Sequence, residues 1–178
     1  TRHNGCRQPL RQLGIGMAGY EATQEGVAVL AAYLVDGLTP RRLRLLAARV
    51  IAVGAVIEDA DFVEVYRLLS ADHGLAPGAA FGAAMRVVRG GGLTKDAVYL
   101  RGFARVLERL ASGVQLTELL VGKIALDRWT VIEELRWREI LQPAHLAPRY
   151  LDDPVARARL QRAATGLSVP QIAGEMTA

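Results

Sequence analysis

The fold turns on residues 20–35, Tyr20-Glu-Ala-Thr-Gln-Glu-Gly-Val-Ala-Val-Leu-Ala-Ala-Tyr-Leu-Val35. Its second half, Val27 to Val35, is the longest strictly apolar run in the chain. Nine residues are too few to span a bilayer, so the run reads as one end of a buried helix. The predicted helix covers about Met17 to Asp36. It stops near Gly37, a C-terminal cap, and Pro40, which suits the first turn of the next helix with Thr39 as N-cap. Two residues in the first half are out of place for a plain core helix. Glu25 stands two positions before the apolar run, and a carboxylate so near a core costs several kcal/mol unless it is paired or metal-bound. Gly26 costs about 1 kcal/mol against Ala in a helix interior. Close approach of another backbone is the usual return for such a glycine.

Outward from this segment the same period continues. Further helices are expected over about Arg41–Ile57, Ala60–Ala71, Pro77–Arg89, Lys95–Ser112, Leu116–Leu126 and Arg128–Leu141, with a weakly helical tail from Val155 to Thr165 and fraying beyond it. Thr94 is the expected N-cap of the long helix after Gly90-Gly91-Gly92. On the helix near Arg128–Leu141, Trp129, Ile132, Leu135 and Leu141 form the apolar face. The first sixteen residues, with Pro9 and no apolar period, read as a connector. No stretch alternates with period two. The class is all-α, a helical array of 178 residues forming a single, partial domain.

Hydrophobic residues make up 51% and charged residues 22% of the chain, a globular composition. The net charge is +4 and nearly all the cations are Arg; the only lysines are Lys95 and Lys123. Spread basic residues interleaved with acids argue against a nucleic-acid surface. A carboxylate-bearing ligand suits the charge. Cys6 is the single cysteine, which excludes an intrachain disulfide and a cysteine-based zinc site and fits a reducing cytoplasm. Without a base partner it is not expected to act as a nucleophile.

A second constellation lies at residues 86–102, Arg-Val-Val-Arg-Gly-Gly-Gly-Leu-Thr-Lys-Asp-Ala-Val-Tyr-Leu-Arg-Gly. Arg89, the three glycines, Thr94 and Lys95 converge on a helix N-terminus, an anion-binding arrangement. Arg89 and Lys95 are candidates to hold a free C-terminal carboxylate, with Tyr99 offering its hydroxyl to substrate or to a developing oxyanion. The plain structural alternative also fits: a flexible loop, surface charges at Lys95 and Asp96, and Tyr99 on the apolar stripe. The phosphate-loop pattern is absent. Glu21 and Glu25, four apart, equally suit a solvated face or pairing with Arg11 or Arg49.

Gln24-Glu25-Gly26-Val27-Ala28-Val29-Leu30 resembles the QEGLA motif of bacterial proteins labelled flavohaemoglobin-expression modulators. These are related to the eukaryotic microtubule-associated tyrosine carboxypeptidases. Arg86–Gly90 and Leu93–Gly102 resemble the RVFRG and FTKDxVYLxG segments of the same family, and Thr1–Gly5 resembles the stretch that follows its zinc helix. The resemblance implies the C-terminal part of a zincin-like metallopeptidase domain. It implies zinc held by an H-E-x-x-x-H helix and a downstream Glu, which Glu25 matches by position, with a peptide or protein C-terminus as substrate. The chain has no H-E-x-x-x-H; its histidines are His3, His73 and His145. Two ligands and the general base are therefore expected upstream of Thr1, and the chain by itself is expected to be inactive. The competing expectation is a non-catalytic helical module that binds a protein or regulates expression.

Overall fold

A computed structural model describes residues 1–90 and 93–176, and among these the secondary structure is helical with no strand. Two short helices, α1 (Arg2–Gly5) and α2 (Gln12–Ile15), precede α3 (Tyr20–Leu34), α4 (Pro40–Ile57), α5 (Phe62–Arg67), α6 (Pro77–Val88), α7 (Leu93–Ala111), α8 (Trp129–Trp137), α9 (Pro154–Ala163) and α10 (Val169–Glu175). No helix is long and apolar enough to cross a membrane among the described residues.

Caps set several of these boundaries. Thr39 Oγ1 accepts from the Arg42 amide at 3.2 Å and Pro40 occupies the first turn of α4, as the sequence predicts. Asp61 and Glu64 make reciprocal capping-box bonds of 2.9 Å, so α5 begins at Phe62 rather than at Ala60. After Arg67 the helix widens into a π turn over Leu68–Asp72. The end of α3 differs from expectation. The left-handed residue is Asp36 (φ 62), not Gly37, and Arg159 holds the Asp36 carboxylate at 3.0 Å. Short Asp tolerates that conformation better than most side chains. Likewise α8 stops at Trp137, because Glu139 turns left-handed (φ 56) and the Ile140 and Leu141 amides fold back on the Leu135 carbonyl.

The first sixteen residues are not a loose connector. Asn4 Nδ2 donates to the Leu120 and Leu146 carbonyls (2.8 and 2.9 Å) and its Oδ1 accepts from the Leu146 amide at 2.8 Å. Gln8 pairs in the same two-way manner with the backbone of Gln142, each bond 2.9 Å. Buried amides, not an apolar stripe, fasten this segment, so hydrophobic periodicity does not reveal it. The tail is also more ordered than expected: α10 packs Ile172 into the core, and Gln171 Oε1 accepts from the Ser168 amide at its start.

Two cores result. The larger joins α3, α7, the 116–132 segment and the C-terminal helices around Leu30, Leu34, Phe103, Leu119, Trp129 and Ile132. The smaller lies among α4, α5, α6 and the start of α7, and is built mostly of Ala and Val, including Ala52, Val65, Ala80, Ala84 and Val87.

Candidate functional site

The two stretches singled out in the sequence meet backbone to backbone. A Cβ added at Gly26 would strike the Gly102 carbonyl group, and one added at Gly102 would strike the Ala22 carbonyl. The close approach expected for Gly26 therefore exists, and its partner is α7. Thr23, on the same turn of α3, is buried and its Oγ1 accepts from the Leu126 amide at 3.1 Å. These contacts fix the rotation of α3.

Glu25 is consequently held one residue round from the crossing. It is half-buried, while its neighbours Glu21 and Gln24 are exposed. Its carboxylate makes no hydrogen bond or ion pair with a described residue. The pairing with Arg49 considered from the sequence does not form, because Arg49 turns to Asp96. Gln24 Oε1 accepts from the Thr1 hydroxyl at 3.1 Å, so the first residue of the chain lies against the same turn as Glu25. Among the described residues no three His, Cys, Asp or Glu side chains are grouped to hold a metal. His3 and His145 instead stack on each other, with ring centroids 5.8 Å apart. The described residues thus offer Glu25 as a single donor and do not by themselves fit a zinc ion, which needs three or four.

At the second constellation, Gly91 and Gly92 lie outside the described residues, as does the side chain of Thr94. Because α7 begins at Leu93, Thr94 sits inside the helix rather than at its cap. Arg89 is exposed at the end of α6, and Lys95 is exposed on the first turn of α7. Tyr99 is half-buried against the larger core.

The residue that sequence reasoning misplaced is Asp96. It is completely buried, with its carboxylate accepting from Arg86 Nε and lying 3.9 Å from Arg49. The hydrogen bond and charge of Asp96 push the Arg86 pKa up. Burial, then the neighbouring Arg86, push that of Arg49 down. The shared carboxylate therefore serves Arg86 first. Asp96 Oδ2 and Arg49 Nε are buried without a hydrogen-bond partner among the described residues. A signal for this was present: Asp96, Tyr99 and Phe103 follow the i, i+3, i+7 spacing of one helix face, and Phe103 is core.

Above this cluster, a groove of about 1180 Å³ runs between α4 and α6. Arg41, Arg44, Arg49, Arg86 and Arg89 line it. The helix-end candidate Arg89 is thus one of five arginines facing a common space.

A family model described as microtubule-associated tyrosine carboxypeptidase matches residues 1–167, a span that contains both constellations. No curated protein and no solved structure matches the chain.

Proposed function

We propose, on the premise that the chain belongs to the microtubule-associated tyrosine carboxypeptidase family, that it forms part of a zinc-dependent carboxypeptidase removing the last residue of a peptide or protein. In this reading Glu25 is one metal ligand. Arg89 and Lys95 hold the terminal carboxylate of the substrate, and Tyr99 supplies a hydroxyl near it. The family's name makes tyrosine the first terminal residue to try. Gln24–Leu30 resembles the bacterial QEGLA branch, and a reducing cytoplasm would suit the exposed Cys6.

The observation that carries the proposal is the contact of Gly26 with Gly102. It joins the two family-like segments through their backbones, and it fixes the face of α3 that carries Glu25, half-buried and unpaired among the described residues. Charge supports it as well, since Arg89 belongs to a strongly cationic surface that attracts carboxylates. The remaining metal donors and the general base are assigned to an H-E-x-x-x-H helix preceding Thr1. The bond from Thr1 to Gln24 is consistent with such a helix entering beside Glu25. Zinc, when bound, would supply the activated water of a metallopeptidase. This chain's own residues would position the metal and hold the substrate end.

The test uses the full-length protein, with peptides ending in a free or an amidated tyrosine. Lys95→Ala is expected to lower kcat/KM at least tenfold for the free terminus and much less for the amide. Equal losses on both would remove Lys95 from carboxylate recognition. Absence of any release of the terminal residue would remove the carboxypeptidase assignment itself.

A further inference from the structure

The groove between α4 and α6 lies outside the carboxypeptidase reading except at Arg89, and its chemistry is distinctive. No acidic residue is among the described residues that line it. Of its five arginines, Arg86 and Arg49 share the buried Asp96, whereas Arg41, Arg44 and Arg89 have no carboxylate within ion-pair distance among the described residues. Arg44 reaches only the Gly74 carbonyl, at 3.5 Å. Arg49 also lines the groove, but its Nε is buried, with no acceptor among the described residues.

Between the cations the surface is apolar. Leu45, Leu75, Phe81 and Met85 line it, and Phe81 is half exposed, resting edge-on against Phe62. Small residues open the space: Gly78 and Gly82 face nothing within 4 Å of where a Cβ would be. A volume near 1180 Å³ exceeds the roughly 300–1,000 Å³ of small-molecule sites and suits a polypeptide segment. Bases of a nucleic acid would look for stacking platforms, and among the described lining residues Phe81 is the sole aromatic.

We propose that this groove docks an acidic, amphipathic segment of a partner protein, with apolar side chains on the Leu45–Phe81 floor and carboxylates on the arginine rim. This is the helix-in-groove mode of recognition with its charge pattern set by Arg. The site does not depend on metal or on peptide hydrolysis.

The experiment is fluorescence anisotropy on the full-length protein with a labelled helical peptide bearing glutamates on one side and leucines on the other. Arg41→Glu combined with Arg44→Glu should weaken binding at least tenfold. Both residues are exposed, and Arg41 lies in the first turn of α4, where acids are favoured, so the fold should persist; circular dichroism checks it. Arg157→Glu, exposed on α9 and away from the groove, should leave binding unchanged. A peptide with serines in place of the leucines should bind at least tenfold more weakly. The proposal is overturned if the leucine peptide does not bind, if the paired reversal leaves its affinity unchanged, if the serine peptide binds equally well, or if a single-stranded oligonucleotide of equal charge binds more tightly.

Discussion

The crossing of α3 with α7 and the pairing of α4 with α6 solve the same problem, two helices side by side, in opposite ways. At the first, two glycines let the backbones touch, and large side chains such as Phe103, Leu30 and Trp129 fill the space around them. At the second, Ala52, Ala80 and Ala84 make a thin core, and glycines on α6 face open space instead of a neighbour. Tight packing fixes the face of α3 that carries Glu25. Thin packing leaves a groove that arginines line. Rigidity and openness are thus divided between two parts of one helical array, and glycine has contrary meanings in the two.

The largest expected effect would break the tight crossing. Gly102→Val places a branched side chain against the Ala22 carbonyl. Overpacking against backbone cannot be relieved by rotamer change, so a loss of about 3–5 kcal/mol is expected, read as a fall in the urea midpoint. Next is Asp96→Ala, at the seam between the two regions. It strands Arg49 and Arg86 together, but Arg86 is half in water, which reduces the cost to about 2 kcal/mol. A smaller effect has the opposite sign. Gly54 is exposed in the interior of α4 with nothing within 4 Å of a new Cβ. Gly54→Ala should therefore stabilise by roughly 0.5–1 kcal/mol. A loss there as large as at Gly102 would erase the distinction between the regions.

The smallest effect concerns pH and the larger core. Burial raises the Tyr150 phenol above its ordinary 10.0, and burial followed by Glu175 raises Tyr33. The folded chain then holds these protons more tightly than the unfolded one. Their contribution is intact below pH 10 and is lost as pH rises beyond it. Tyr150→Phe should flatten the decline in thermal midpoint above pH 10; an unchanged slope would remove Tyr150 from that decline.

How legible was all this beforehand? The helical class, the Thr39–Pro40 start of α4 and the need for a backbone neighbour at Gly26 follow from residue type and spacing alone. The identity of that neighbour does not, because nothing local marks Gly102 as its partner. Asn4 and Gln8 fasten the N-terminal segment through amide pairing, which leaves no apolar period to detect. Asp96 looked like a surface charge beside Lys95, although its shared face with Phe103 was readable. The arginine groove is a product of tertiary placement, since Arg41 and Arg89 are distant in the chain.

The central claim is that the carboxylate of Glu25 binds a catalytic metal. Zinc content, measured by mass spectrometry on the purified full-length protein, tests it most directly. Roughly one zinc per chain is expected for the parent and for Glu21→Gln, with a large deficit in Glu25→Gln. Full occupancy in Glu25→Gln would contradict the claim.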